Sequence, residues 1–200
     1  MAILEHEIMS TALDRTGVQR FVFTRQAYYA LGEAGVLDHR VELIEGEIVE
    51  MPPIGPTHGA VPEPLVILLQ SAFGHGFSVR NQAAISIGED SNPSDPQPDI
   101  VVVAGSWRDY VHRQPTPQDI RLAVEVADSS LGFDRKIKGV LYASAGIPEY
   151  WIVNLAMRQV EVYRDPAEAG YLSTVVYDAS QIIEPLYAPG KAVNIADFMP

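Results

Sequence analysis

Two short runs of apolar and β-branched residues dominate the hydrophobic pattern of the chain. One follows Asp99 and ends at Ala104, and the other begins at Ile120 and contains Glu125. Each run is typical of a buried strand. Paired as an antiparallel hairpin with Ala104 opposite Ile120, they place Asp99 opposite Glu125 on one face, with Cβ atoms ~5 Å apart. Facing carboxylates repel unless one is protonated or a cation lies between them, so the pattern points to a divalent metal and to metal-dependent hydrolysis.

The rest of the pattern predicts a mixture of helices and strands. Helices are expected over about residues 25–36, capped by Thr24, over 60–73, and over 133–145, closed by Gly146. A hairpin should turn at Glu45 and Gly46. Further strands are predicted over 77–87, 149–153 and 159–163, with a terminal hairpin of 171–177 and 181–187.

The predicted fold class follows from the order of these elements. A helix leads from the strand that ends at Val126 into the strand at 149–153, which makes a crossover within a set of otherwise antiparallel strands. The class is therefore mixed α/β or α+β. Within that helix, the residues expected to face the core are Ile137, Val140, Leu141 and Ala145.

Composition indicates one domain. The 200 residues are 47% hydrophobic, which suits a single well-buried domain over 21–200 that follows an N-terminal arm over 1–20. The chain has no Cys, so disulfides and Cys-based zinc sites are excluded. The N-terminus lacks the features of a signal peptide, and no apolar stretch approaches ~18 residues. We expect a cytoplasmic protein with no membrane association.

The charge argues against general affinity for nucleic acid. The formal net charge is −12, with 26 acidic and 14 basic residues. Proteins that hold DNA by phosphate neutralisation are usually basic, and this overall field would repel a polyanion. Divalent cations or a locally basic groove could offset part of that repulsion.

Several motifs, in order, resemble a known family. The chain is similar to the Uma-two-type family, whose members are described as restriction endonucleases within the PD-(D/E)XK nuclease superfamily. The resemblance extends from about residue 20 to residues 196–199, and its order and spacing are more specific than any single motif. The matching pieces are residues 42–48, His58, residues 98–103, residues 124–126, Asp134, Lys138, Tyr142 and residues 146–153.

The resemblance implies a restriction-endonuclease-like core, a central mixed sheet flanked by helices, and hydrolysis of phosphodiester bonds in DNA. It also implies that Asp99 and Glu125 ligate Mg²⁺ or Mn²⁺, helped by the backbone carbonyl of Val126. Carboxylate and carbonyl oxygens suit these hard cations. Apart from the resemblance, Asp99 could be an ordinary acid near a turn, whereas Glu125 has apolar neighbours on both sides and would be costly to bury alone.

The catalytic lysine departs from the superfamily motif. The position two residues after the second acid is Ala127, and the family pattern places the lysine on the next helix, where Lys138 stands. Its ammonium could orient water or stabilise phosphate charge. The alternative is an exposed Asp134–Lys138 ion pair worth a few tenths of a kcal/mol. Lys136 is a second candidate for the catalytic lysine.

Two further residues have open interpretations. Glu42 matches a family position that could supply a metal-site acid, or it could face solvent in an acidic hairpin. His58 could serve as a general base or phosphate contact, or could simply begin a helix. Tyr150 and Trp151 are expected to pack in the core. The remaining histidines have no ligand-like spacing.

Three functions remain possible from the sequence. The first is a Mg²⁺-dependent endodeoxyribonuclease, for which a homodimer would match the two strands of DNA. The second is a catalytically silent nuclease-fold protein that acts as a binding or assembly module, which the acidic charge and Ala127 favour. The third is a metal-dependent phosphoesterase acting on a smaller substrate, which would account for the acidity and keep the site.

Overall fold

The computed structural model describes residues 9–13 and 19–200, with side chains from residue 21 onward. Contacts divide the chain into two compact units, one of Met1–Pro53 with Ile85–Gln97 and one of Ile54–Ala84 with Pro98–Pro200. The predicted arm over 1–20 falls largely outside the described residues, although Met9–Leu13 form a strand. A single domain over 21–200 stays a prediction.

The first unit contains two hairpins and a helix. Strands β1 and β2 pair with each other, as do β3 and β4, and both pairs are antiparallel. The Thr24 side chain accepts a hydrogen bond from the Ala27 N–H and caps helix α1, as predicted, but the helix ends earlier than expected. The bounds are β1 Met9–Leu13, β2 Gln19–Phe23, α1 Arg25–Glu33, β3 Val41–Ile44 and β4 Glu47–Glu50.

The predicted turn at Glu45 and Gly46 is confirmed. Both residues have positive φ, 49° and 74°, which is the conformation that a tight two-residue hairpin loop requires. Gly46 is needed for a second reason, because a Cβ at this position would collide with the side chain of Val22. The turn therefore holds the β3–β4 hairpin against β2.

The second unit is built on a six-stranded mixed sheet with the order β10-β9-β8-β7-β6-β5. The β7–β8 pair is parallel and the other four pairs in this sheet are antiparallel. A helical crossover joins β7 to β8, so the predicted mixed α+β class is confirmed. The strands are β5 Phe77–Asn81, β6 Ile100–Ala104, β7 Ile120–Ala127, β8 Glu149–Asn154, β9 Gln159–Ala167 and β10 Gly170–Asp178.

Short helices surround this sheet. Helix α2 carries His58, and α3 begins with Pro62 in its first turn. No helix in the described part of the chain is long and apolar enough to span a bilayer. The bounds are α2 Pro56–Ala60, α3 Pro62–Phe73, a 3₁₀ helix Trp107–Tyr110, α4 Leu131–Phe133, a π-helical turn Asp134–Lys138, α5 Gly139–Ser144 and a 3₁₀ helix Ile195–Asp197.

The hydrophobic core lies on one face of the sheet. Alternate residues of the central strands pack there against α3 and the C-terminal segment. Their neighbours in sequence, including Asp99 and Glu125, point to the opposite face, because side chains alternate along a strand. Trp151 is fully buried in this core, and Tyr150 is fully buried on the other face, as predicted. Core members include Leu65, Leu69, Ile100, Val102, Val124, Val126 and Val153.

The register of β6 and β7 agrees with the prediction only near Asp99. Ile100 lies opposite Val124, which continues to Asp99 opposite Glu125. A β-bulge between Val102 and Val103 then shifts the ladder, so that Val103 lies opposite Ile120. The predicted pairing of Ala104 with Ile120 is therefore wrong by one residue.

Three other element predictions are wrong. The strand expected over 77–87 ends at Asn81, because Gln82 takes a positive φ of 45°. The terminal hairpin of 171–177 with 181–187 does not form. Instead β10 pairs with β9, and strand β11 (Ile182–Ile183) pairs with strand β12 (Val193–Asn194). Ile137, expected in the core, is 43% exposed because the π-helical turn changes the rotation of the helix.

Candidate active site at the Asp99 end of strands β6 and β7

Asp99 lies just before β6 and is almost fully buried. Its Oδ2 accepts the backbone N–H of Val126 at 2.8 Å, and the N–H of Gln82 donates to its backbone carbonyl at 3.0 Å. Burial alone would raise the pKa of Asp99. The hydrogen bond and charge of His58, the Val126 N–H and the charge of Lys138 outweigh it and hold the pKa below its usual range. Asp99 is therefore a carboxylate at neutral pH.

His58 lies in the first turn of the short helix α2 and also contacts Asp99. Its Nε2 is 3.2 Å from Asp99 Oδ2, with a side chain only 12% exposed. Since Asp99 is ionised, Nε2 is the nitrogen that carries the proton in this contact. Asp99 thus fixes both the orientation and the tautomer of His58.

Glu125 collects two donors on one oxygen. Lys138 Nζ lies 2.9 Å from Glu125 Oε1, and the Tyr142 hydroxyl donates to the same oxygen at 2.8 Å. The side chains of Lys138 and Glu125 are 3% and 4% exposed, so this is a buried ion pair. The alternative of an exposed Asp134–Lys138 pair is wrong, because Asp134 and Lys138 are both buried.

The π-helical turn presents this lysine to the sheet. The Gly139 N–H donates to the Asp134 carbonyl, an i to i+5 bond that widens one helical turn. Asp134 accepts a 2.6 Å hydrogen bond from the Ser130 hydroxyl, and Tyr150 donates to the Asp134 carbonyl at 3.2 Å. These contacts fasten the start of the turn that ends in Lys138. Lys136, the second candidate, is exposed.

A second charged pair anchors the same turn beside Glu125. Arg135 donates to both carboxylate oxygens of Glu161, at 2.9 and 2.6 Å. Glu125 and Glu161 each lie opposite Ile152 on neighbouring strands, so the two acids point to the same face of the sheet. The turn therefore places Lys138 and Arg135 on two acids of one row, which lie on the strands on either side of β8.

Glu42 lies in the first unit and is fully buried on β3. This corrects the interpretation that it faces solvent with Glu45, Glu47 and Glu50, which are the exposed acids of the hairpin. Burial and then the negative charges of Glu42 and Asp95 raise the pKa of Tyr28. Glu42 is thus a buried acid set apart from its exposed neighbours.

The donor chemistry of the site suits a hard divalent ion. Asp99 and Glu125 are two carboxylates on adjacent strands, and oxygen ligands of this kind are those that Mg²⁺ and Mn²⁺ prefer. The hydrogen bonds described above converge on a single oxygen of each carboxylate. Within the described residues, however, no group of three or more His, Asp or Glu side chains is arranged to hold a metal.

Comparison with known proteins identifies the family. Residues 26–196 match the family described as "Uma2: Putative restriction endonuclease". The chain belongs to the Uma2 family. No curated protein matches it.

The Uma2 chain is also similar to a solved structure. That structure is described as a "putative nuclease belonging to DUF820" from Anabaena variabilis. The two share 18% sequence identity, with a TM-score of 0.62 and coverage of 80% of this chain and 90% of the other. At this identity the likeness establishes the fold of the Uma2 chain.

Tyr142 matched the family pattern in the sequence, but it was given no role in the site. Its spacing was the available signal, since Tyr142 stands four residues after Lys138 and so shares its side of a helix. Of the residues singled out from sequence, the structure brings Asp99 together with His58 and Glu125 together with Lys138. Val126 contributes its N–H to Asp99.

Proposed function

We propose that this Uma2 protein is a divalent-metal-dependent endonuclease that hydrolyses phosphodiester bonds in DNA. The supporting observation is the buried contact of 2.9 Å between Lys138 Nζ and Glu125 Oε1. This contact brings the Lys138 ammonium, from the helical crossover, to Glu125, which lies opposite Asp99. Two carboxylates and a lysine on one sheet end are the groups that metal-assisted phosphate hydrolysis needs.

The proposed ligands are Asp99, Glu125 and the carbonyl of Val126. The chemistry that Mg²⁺ or Mn²⁺ supplies when bound is polarisation of the phosphate and activation of a water. Lys138, held in place by Glu125, stabilises the negative charge that develops on the phosphate oxygens. The surrounding burial strengthens this electrostatic contribution, because the site is largely shielded from water.

His58 is proposed to move a proton during hydrolysis. With Nε2 protonated and directed at Asp99, a neutral His58 has Nδ1 as its proton acceptor. As water attacks phosphorus and the P–O bond to the leaving oxygen breaks, Nδ1 takes the proton of the water and solvent protonates the leaving oxygen. Glu42 is kept as a proposed catalytic acid from its family position alone.

A cleavage assay on plasmid and oligonucleotide DNA tests the function. Cleavage should require Mg²⁺ or Mn²⁺ and should be lost on Asp99→Asn or Glu125→Gln. Lys138→Met should reduce kcat by roughly 10²–10³-fold and His58→Gln by roughly 10²–10⁴-fold. Lys136→Met, which changes an exposed lysine of the same turn, is the matched control and should cleave as wild type.

The same assay separates the alternatives. If the Asp99→Asn protein is folded and still cleaves, the proposed site is wrong. Hydrolysis of a small phosphodiester without cleavage of DNA would instead identify a phosphoesterase. A protein that neither hydrolyses these substrates nor binds a divalent ion would be a silent nuclease-fold module, an outcome consistent with the internal cation that each acid already contacts, Lys138 or protonated His58.

A homodimer is proposed as the active form on duplex DNA. Two copies related by a two-fold axis would present one site to each strand. Light scattering coupled to gel filtration, with and without duplex DNA, measures the mass. A monomer in both conditions that still makes double-strand breaks would contradict the dimer.

A further inference from the structure

The segment between β6 and β7 carries a cluster of arginines stacked on aromatic rings. The Cζ atoms of Arg80 and Arg113 lie 5.4 and 4.8 Å from the centroid of the Tyr110 ring. The Cζ atom of Arg108 lies 4.6 Å from the Trp107 ring. We call these five residues the arginine cluster. Guanidinium groups stacked in this way are held in place with their N–H edges available for ligands.

The arginine cluster begins on the same face as the candidate active site. Arg80 lies opposite Val101, which is two residues from Asp99 and therefore points to the same side of the sheet. The separation along the strand is about 7 Å at ~3.3 Å per residue. Tyr110 donates its hydroxyl proton to the Ala104 carbonyl, about 17 Å along β6 from Asp99. The cluster thus follows β6 away from the site.

The cluster retains positive charge despite the acidity of the chain. Both acids of its segment have local partners: Asp119 binds Arg113 at 2.6 and 3.0 Å, and Asp109 caps the 3₁₀ helix by accepting the Ser106 N–H. Among the residues that the structure describes, neither Arg80 nor Arg108 forms an ion pair. Three arginines against these two acids leave the cluster and its segment a net charge of +1.

Arg80 has an unsatisfied donor. Its Nη1 is buried, and within the described part of the chain no acceptor lies within hydrogen-bond distance. A buried donor without an acceptor is unfavourable, so a ligand oxygen would be stabilised there once a shift of the surrounding side chains exposes Nη1. Phosphate oxygens match the N–H edge of a guanidinium. Trp107, which is 62% exposed, adds an aromatic surface on which a base can stack.

We propose that the arginine cluster binds a single DNA strand that leads away from the phosphate at Asp99 and Glu125. Arg80 and Arg108 contact its phosphates and Trp107 stacks with one of its bases. This inference rests on the proposed nuclease function, which fixes where the DNA strand starts relative to the cluster. The positive charge of the cluster locally offsets the net charge of −12.

Binding without catalysis tests the inference. The affinity of a fluorescent single-stranded oligonucleotide is measured by anisotropy in EDTA, as a function of salt. Each phosphate contact contributes about 0.7 to the slope of log K against log salt. Arg108→Ala and Arg80→Ala should each lower the slope by about that amount and weaken binding about fivefold at about 0.1 M salt. Trp107→Ala should weaken binding at least fivefold with an unchanged slope.

Lys191→Ala is the matched control. Lys191 is exposed and lies in the segment before β12, whose Val193 packs on the opposite, core face of the sheet. This variant should bind with the wild-type affinity and slope. Arg108 is exposed, so its variant is expected to fold, and melting temperatures verify this for all variants.

The outcomes are separable from those of the nuclease proposal. Wild-type slopes in both arginine variants, or no binding by wild type, would overturn the inference even if DNA is cleaved. Equal competition by an acidic peptide at matched charge would identify a protein segment as the occupant instead. Binding that depends on the arginines, with no cleavage in Mg²⁺ or Mn²⁺, would refute the nuclease function and support the DNA-binding surface.

Discussion

At the scale of single residues, each acid of the candidate site contacts a basic side chain within the protein. Glu125 binds Lys138, and Asp99 binds His58, which is cationic when protonated. The repulsion between facing carboxylates is thus partly relieved before any metal is considered. A metal that binds here must compete with Lys138 and Tyr142 for Glu125 Oε1, or bind through Oε2.

The buried Lys138–Glu125 pair should be strongly coupled in stability. Lys138→Met removes the counter-charge of a buried carboxylate and should lower the free energy of unfolding by about 3–5 kcal/mol. Glu125→Gln should also destabilise, because the ammonium then lacks its counter-charge. The double variant should lose less than the sum of the two single losses. Urea denaturation of the four proteins measures this.

The exposed neighbour Lys136 provides the comparison. Lys136→Met should change the free energy of unfolding by no more than about 0.5 kcal/mol. If the losses of Lys138→Met and Glu125→Gln simply add, the two side chains do not interact in solution as described.

At the scale of elements, the π-helical turn Asp134–Lys138 of the β7–β8 crossover contacts two buried acids. Lys138 binds Glu125, and Arg135 binds Glu161. Helical periodicity in the sequence assigns this stretch to a regular helix, because a single widened turn leaves no distinct residue pattern. The prediction for Ile137 was wrong for that reason. Lys138 was nevertheless predicted as a site residue from the family's order of motifs, which does not depend on the local hydrogen-bond pattern; its contact with Glu125 was not predicted.

The Arg135–Glu161 pair should make the folded protein less stable as the pH falls into the acid range. Burial would raise the pKa of Glu161, but hydrogen bonds from Arg135, Tyr163 and Asn154 outweigh it and lower the pKa below its ordinary value of 4.5. A carboxyl with a lowered folded pKa stabilises above its unfolded pKa, and this contribution is lost as pH falls through the folded pKa. The melting temperature of wild type should therefore fall more steeply below about pH 4.5 than that of Glu161→Gln.

Melting curves between neutral and acid pH check this difference. The exposed-acid variant Glu168→Gln serves as control and should follow the wild-type curve. Parallel curves for wild type and Glu161→Gln would show that the pKa of Glu161 is the same in the folded and unfolded states.

The sheet could be predicted from sequence where strands are buried on both faces. The β6 and β7 runs are apolar enough to identify, and the helical crossover after Val126 gave the mixed class. The bulge at Val102 and Val103 could not be anticipated, because one extra residue in a ladder follows from how the loop closes. The partner of β10 was wrong because short apolar runs near the C-terminus fit more than one pairing.

At the scale of the whole molecule, the net charge of −12 would repel the proposed DNA substrate, but charge is not distributed evenly over the protein. The arginine cluster concentrates positive charge beside the candidate site, and a divalent ion would add to it. Local fields within about 10 Å govern contacts at ordinary salt. The overall charge should therefore slow association with DNA more than it weakens the bound complex.

Metal binding should be visible as a gain in global stability. At a concentration ten times its dissociation constant, Mn²⁺ should stabilise the wild type by about 1.4 kcal/mol, or about 3–6 °C in Tm. Asp99→Asn should show no such shift, and Glu168→Gln should retain it. Differential scanning fluorimetry, with EDTA to reverse the effect, measures the shift. An equal shift in the Asp99→Asn protein would place the bound ion elsewhere.

The β-bulge has a consequence for how this protein can be modified. The ladder shifts by one residue between Val102 and Val103, so the pairing at the Asp99–Glu125 end has a different register from the pairing next to the long β6–β7 connection. The connection can then be shortened, lengthened or grafted from a related chain while the two acids keep their alignment. Changes in the β6–β7 connection would then alter substrate preference, while the Asp99–Glu125 end of the same hairpin would keep the catalytic geometry.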